Sequence, residues 1–262
     1  MILQDIISYL EEIAPPHLQE SYDNSGLIYG RPDQEITGAL VSLDCTEDVV
    51  EEAISLGFNL IVSHHPIVFS GIKKFSYDNY VHRVVIKAIQ HNIAIYAIHT
   101  NLDNVLDHGV NQKIAQKIGL NQCAILRPKD TAEPHIGSGI IGEIQQELDP
   151  LAFMDHLKSS MNLKTIKHTA LIARPVQRVA VCGGSGSFLL ADAKAAGAEM
   201  FITADYKYHE FFDADGTITI IDIGHYESEY FTIELLFELL TEKFPKFAAR
   251  STKVVTNPIN YY

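Results

Sequence analysis

The sequence predicts an α/β fold built of two similar, duplicated halves with mixed sheets and a metal site between them. Three observations predict it. Short apolar runs alternate with amphipathic helical stretches, the pattern of βαβ units. The alternation runs twice, over 1–125 and over 126–262, and the halves are expected to be intertwined. Histidine and acidic residues stand just past strands in both runs, where open α/β sheets bind ligands.

The first run opens on an amphipathic helix. Ile2, Ile6, Leu10 and Ile13 share a face, and Pro15–Pro16 end it. A loop with Asp23, Asn24 and Gly26 follows. Gly38–Leu43 reads as a strand with Asp44 after it. Thr46–Leu56 reads as a helix, capped by Thr46 and ended by Gly57. Asn59–Ser63 and Ile93–Ile98 read as strands, Val81–Gln90 and Gly109–Ile118 as helices.

Between about 121 and 175 the pattern changes. Ile136–Ile144 is a Gly-rich strand, and Asp149 caps a helix with Pro150 at its first position. The second run then has a strand Arg178–Cys182, a turn Gly183–Gly184–Ser185–Gly186 and a helix Phe188–Ala196. Strands Met200–Thr203 and Ile218–Ile223 follow, then one long helix from Glu227 to Lys243. A shift of 140 brings Ala53 onto Ala193, Gly57 onto Gly197 and Val62 onto Ile202. A shift of 126 brings His99 onto His225 and Asp103 onto Glu229. Two shifts in place of one mean that the halves differ in insertions.

Charge narrows the partners. Against 33 Asp+Glu there are 20 Lys+Arg, so the net charge of the 262 residues is −13. Such a chain is repelled by duplex phosphates and by anionic membrane surfaces, so neither nucleic acid nor membrane is an expected partner. No apolar run approaches the ~18 residues of a membrane span. Cys45, Cys123 and Cys182 are few, odd in number and without a CxxC pair, and the N-terminus lacks a basic segment before its apolar residues. A reduced, cytoplasmic setting is expected.

The chemistry gathers at three places. His64–His65 follow the strand Asn59–Ser63, with Pro66 stiffening the exit. His99 and Asp103 follow Ile93–Ile98. His225 and Glu229 follow Ile218–Ile223, and there a helix begins at once, so imidazole and carboxylate lie one turn apart on one face. A single histidine at a strand end is most often a hydrogen-bonded residue of no special chemistry. Three such groups at equivalent places in two repeats point to a shared site. Histidine with carboxylate and no thiolate suits divalent Zn, Mn, Fe, Co or Ni. Five ligands are too many for one catalytic ion with an open position, so two ions per subunit are expected. Two divalent ions with Asp103 and Glu229 leave the site at net +2, which lets an acidic chain hold a small anion. His99 is either a further ligand or a residue that orients Asp103. Asp205 and His209 are candidates for lining the pocket, with His209 able to move a proton. Gly183–Gly184–Ser185–Gly186, between a strand and a helix, is a candidate phosphate cradle or simply a tight turn.

These blocks resemble the NIF-three-like family, whose bacterial members are named GTP cyclohydrolase 1 type 2 homologues. The resemblance rests on Tyr22-Asp-Asn-Ser-Gly-Leu27, Ser63-His-His-Pro-Ile-Val-Phe69, His99-Thr-Asn-Leu-Asp103, Val181-Cys-Gly-Gly-Ser-Gly186 and Gly224-His-Tyr-Glu-Ser-Glu229. They occur in family order over nearly the whole chain. Tyr22 stands where the family usually has Trp, and the chain has no room for the inserted middle domain of longer members. The resemblance implies a toroidal homohexamer with dinuclear metal sites facing an inner cavity. It places the ligands on His64, His65, Asp103, His225 and Glu229. It also implies an activity in which metal-activated water opens the guanine imidazole ring of GTP and releases formate. The leading expectation is a metal-dependent hydrolase of a nucleotide or similar small anion, with GTP the candidate that the resemblance names. The alternative is a non-enzymatic metal-binding protein for storage, delivery, regulation or an adaptor role.

Overall fold

Four-residue apolar runs, buried on both faces, build the parallel core of each sheet. The computed structural model describes every residue from Met1 to Tyr262. In chain order it begins with α1 (Leu3–Ile13), β1 (Gly26–Tyr29), β2 (Ala39–Ser42), α2 (Glu47–Leu56), β3 (Leu60–Ser63), α3 (Tyr80–Gln90) and β4 (Ala94–Ala97). A single turn, α4 (Thr100–Asp103), leads to α5 (Val110–Ile118), β5 (Leu120–Pro128), β6 (Gly137–Leu148), α6 (Pro150–Ser160) and β7 (Lys167–His168). Then come β8 (Val176–Ser185), α7 (Leu190–Ala195), β9 (Met200–Ala204), β10 (Thr219–Asp222), α8 (His225–Glu229), α9 (Thr232–Lys243) and β11 (Ala249–Ser251).

The chain forms two compact units, Met1–Leu102 with Thr232–Pro258, and Asp103–Phe231 with Ile259–Tyr262. This differs from the division at 125/126 read from the sequence. That cut would split β5, which pairs antiparallel with β6, and would separate β11 from its parallel partner β2. The residue Asp103 accordingly falls in the second unit.

Each unit holds one mixed sheet. The first has the order β1-β4-β3-β2-β11, the second β5-β6-β8-β9-β10-β7. Each contains three successive parallel strands, β2-β3-β4 and β8-β9-β10, with an antiparallel strand beside the third, β1 on β4 and β7 on β10; in the first sheet β11 adds a fourth parallel strand beside β2. The registers confirm the repeat. Ala39 pairs with Leu60 and Leu60 with Ala94; Val179 pairs with Met200 and Met200 with Thr219. The offsets are 179 − 39 = 140, 200 − 60 = 140 and 219 − 94 = 125. The third strands therefore correspond at 125, and the match of His99 to His225 needs one more residue after β10.

Helices cover the sheets for ordinary reasons. The Thr46 side chain accepts from the Val49 amide, and Gly57 ends α2 at φ +68°. Asp149 caps α6 in the same way, with Pro150 at its first position. Val49, Val50 and Ala53 of α2 and Val84, Val85 and Ala88 of α3 pack on Leu40, Ile61 and Ile95 of the first sheet. In the second unit Leu189, Leu190 and Ala193 pack on Ala180, Phe201 and Ile220. Two elements differ from expectation. The long helix from Glu227 is two helices, α8 and α9, divided at Tyr230–Phe231 where the chain passes between units. The turn Gly183–Gly186 is largely strand, because β8 continues to Ser185, which pairs with Ala204. No helix is long and apolar enough to cross a membrane.

Candidate metal centre

Register brings the first set of donors together. Ser42, Ser63 and Ala97 stand level at the carboxyl ends of β2, β3 and β4. Asp44, the pair His64–His65, and His99 follow directly. The backbone keeps its ladder past the strand ends: the His64 amide donates to the Ser42 carbonyl, the His65 amide to Leu43 and the Ile98 amide to Ser63. The three imidazoles form a triangle with centroids 4.9, 5.2 and 5.3 Å apart. Ligand-capable atoms of His64, His65 and His99 lie within 4.8 Å of one another.

Each ring is held by the same nitrogen. His64 Nδ1 donates to the Ile98 carbonyl at 2.8 Å, His65 Nδ1 to Asp44 Oδ1 at 2.7 Å and His99 Nδ1 to Asp23 Oδ1 at 2.7 Å. A proton fixed on Nδ1 puts the ring lone pair on Nε2, the arrangement by which neutral histidine serves a metal. His64 is fully buried, so its ring cannot swing away.

The orienting acids are themselves well held. Asp23 Oδ2 accepts from the Thr100 amide at 3.0 Å, the Thr100 hydroxyl at 2.5 Å and the Ser25 hydroxyl at 2.8 Å. Burial works to raise the Asp23 pKa, but the hydrogen bonds from His99 and Thr100 outweigh it and hold the carboxyl well below the usual range. Asp44 behaves likewise: burial opposes ionisation, and the contacts with His65 and Thr256 outweigh it.

The second unit assembles its own set. Asp205 follows β9 at φ +57°, and His225 opens α8 after β10. His225 Nδ1 donates to Asp205 Oδ2 at 2.7 Å, and its Nε2 lies 3.0 Å from Glu229 Oε2 one helical turn on. Carboxylate oxygens of Asp103 and Glu229 lie within 4.8 Å of each other. Glu229 is only 2% exposed. Two acids so close, one of them buried, repel each other unless a cation or a shared proton offsets the charge. Oxygen and imidazole donors at these positions fit a divalent ion, and the chemistry of the donor set excludes a thiolate zinc site.

The glycines of β8 serve that acid. A Cβ on Gly184 would lie 2.4 Å from Glu229 Oε1, and Gly184 sits at φ +59°. The Gly183 amide donates to Asn111 Oδ1 and the Gly184 amide to Ser228 Oγ. A Cβ on Gly186 would lie 2.5 Å from Thr203 Oγ1. At Gly183, Gly184, Ser185 and Gly186, read from the sequence as a phosphate cradle or a tight turn, the backbone closes on Glu229 and Thr203. Two of its amides are committed to side chains, and the helix after it, α7, is one short piece.

Of the residues read from the sequence, His64, His65 and His99 gather in the first unit, and Asp103, His225 and Glu229 in the second. His99 joins the imidazole triangle and has Asp23 as its Nδ1 partner. Asp205 orients His225. His209 is exposed and its ring contacts are Tyr208 and Phe212. The sequence does not mark Asp23 and Asp44 as partners of the imidazoles; their signal is an acid in a polar loop and an acid directly after a buried strand.

Comparison with known proteins places the chain. The Duf34/NIF3 (NGG1p interacting factor 3) family matches residues 1–258. A Clostridium perfringens protein named GTP cyclohydrolase 1 type 2 homolog is 34% identical over 244 residues, covering 93% of this chain and 92% of the relative. The crystal structure of a Staphylococcus aureus hypothetical protein superposes with a TM-score of 0.92 at 31% identity, covering 100% of this chain and 99% of the other. A Bacillus cereus protein related to NIF3 gives a TM-score of 0.92 at 25% identity with the same coverage.

Proposed function

Because the chain belongs to the Duf34/NIF3 family, we propose that it holds two divalent metal ions through His64, His65, Asp103, His225 and Glu229, and hydrolyses a nucleotide or similar small anion. The observation that carries this reading is the uniform posture of the histidines: His64, His65, His99 and His225 each commit Nδ1 to an oxygen. His168 also bonds an oxygen through Nδ1, but on an exposed ring and to the next residue's carbonyl, whereas the four site rings do so just past strand ends.

When bound, a pair of such ions supplies a Lewis acid and, at neutral pH, a hydroxide nucleophile. The residues do the rest. His64 and His65 present neutral nitrogen, and Asp103 and Glu229 present charge. Asp44, Asp23 and Asp205 keep the rings from turning and from taking the wrong tautomer. Relatives named GTP cyclohydrolase 1 type 2 homolog favour GTP as the first substrate to try. The ring of six subunits belongs to the same proposal and is checked by light scattering.

The test is direct. Purified protein is stripped of metal, reloaded with Mn or Zn, and assayed with GTP for formate release beside His65→Ala. Two ions per chain and turnover lost in the variant support the reading. Two ions without turnover under any metal leave a metal-binding protein that is not this hydrolase. Absence of bound metal ends the proposal.

A further inference from the structure

The C-terminal segment runs to the first donor set by a path the sheet dictates. β11 lies parallel to β2, with Ser251 paired to Val41. A strand parallel to β2 must exit at the same sheet edge, where Asp44 and His65 stand. The exit is clamped. The Thr252 amide donates to the Val41 carbonyl at 2.8 Å, the Thr252 hydroxyl to Glu52 Oε2 at 2.5 Å and the Lys253 amide to Glu52 Oε1 at 3.1 Å. Val254 packs against the core of the first unit. Two residues later the Thr256 hydroxyl donates to Asp44 Oδ2 at 2.5 Å. The other oxygen of the same carboxylate, Oδ1, accepts from His65 Nδ1 at 2.7 Å.

We propose that Thr256 is a positioning residue for the metal centre, acting through Asp44 on His65. The role rests on the reading of His65 as a ligand. An acid holding an imidazole with one oxygen is still free to rotate about its terminal bond. A hydroxyl on the second oxygen removes that freedom and fixes the plane of the carboxylate. The imidazole then keeps both its direction and its Nδ1–H tautomer. Threonine suits the task, since the hydroxyl donates while the methyl limits its rotamers. The tail beyond β11 thereby becomes part of the site, although it lies 191 residues from His65 in the chain (256 − 65).

The experiment compares wild type with Thr256→Val, Thr256→Ser, Asp44→Asn and the double variant Thr256→Val/Asp44→Asn. Zinc affinity is read by chelator competition, and the His65 tautomer by NMR of the metal-free protein. Thr256→Val is expected to weaken zinc by about 10-fold, the lower end of what orienting partners are worth, and Thr256→Ser to restore it. The double variant should bind no more weakly than Asp44→Asn alone, because both changes break one relay. In metal-free Thr256→Val, His65 should populate both tautomers. Wild-type affinity in Thr256→Val, failure of Ser to rescue, or additive losses in the double variant would overturn the role. The tautomer readout needs no ion, so a relay that fails and a centre that binds no metal give different results.

Discussion

Gly184 and Glu229 touch so closely that a methyl group on the glycine would lie 2.4 Å from the carboxylate oxygen Oε1. The glycine is needed twice, for this approach and for its backbone at φ +59°. Gly184→Ala is expected to destabilise by about 2 kcal/mol or more, from left-handed strain plus displacement of Glu229. Gly183→Ala meets the end of the Ile114 side chain at 3.0 Å, with Glu229 Cγ and Val110 Cγ1 at an ordinary contact distance of 3.4 Å, and should cost less. Urea unfolding of the two variants checks the order, and equal losses would contradict it.

Asp23 organises five donors at once: His99 Nδ1, the Thr100 amide and hydroxyl, the Ser25 hydroxyl and the Asn24 amide. Asp23→Ala strips all of them of their acceptor. The expected cost is roughly 2–4 kcal/mol, since each buried donor left without a partner is worth about 1–3 kcal/mol and the surroundings relax in part. Thermal unfolding measures it. A loss under about 0.5 kcal/mol would show that water replaces the carboxylate freely.

How much of this is legible in the sequence depends on the range of the interaction. Strands such as Leu60–Ser63 are legible because a continuous apolar run between capping residues is a local signal. So are His64–His65 and His225–Glu229, which sit at strand ends and at helical spacing. Asp23 and Asp44 are not, because their bonds to His99 and His65 span 76 and 21 residues and depend on strand register. Gly183–Gly186 stays ambiguous in the sequence for the same reason. A glycine run between strand and helix resembles an anion cradle, and only the packed position of Glu229 reveals what the missing side chains make room for. The third repeat strand misleads by one residue, since a glycine-bearing turn before His225 is invisible to a fixed shift.

Tyr96 is 1% exposed, and its hydroxyl has no hydrogen-bond partner. A buried hydroxyl in that state carries a desolvation cost with nothing to offset it. Tyr96→Phe should therefore stabilise the first unit by about 1 kcal/mol. The urea midpoint should rise with an unchanged slope. A fall would mean that the hydroxyl bonds a water in solution.

Cys45 is buried beside Asp44, and burial with that acid pushes its thiol up to about 12 from 9.0. The raised value means that the folded protein resists losing the proton while the unfolded chain does not. This contribution is intact below about pH 9 and is lost as pH rises towards 12, at about 1.4 kcal/mol per pH unit. Unfolding at pH 8 and pH 10.5 should show a smaller drop for Cys45→Ala than for wild type. The same burial predicts that a thiol reagent at pH 8 reacts with half-buried Cys123 and spares Cys45 and Cys182 in the folded protein.

Glu229 supplies the sharpest test of the ions themselves, because its charge has opposite effects with and without them. Its carboxylate lies within 4.8 Å of an oxygen of Asp103, and it is 2% exposed. In stripped protein the two negative charges repel, so Glu229→Gln should melt at or above the stripped wild type. Added metal reverses the order. An ion that binds only the folded state stabilises by mass action, by about 2.7 kcal/mol at a hundredfold excess over Kd. Wild type should therefore gain several degrees in Mn or Zn, and Glu229→Gln should gain little while retaining less metal by elemental analysis. Equal gains in both proteins would remove Glu229 from the ligand set, and no gain in either would remove the ions.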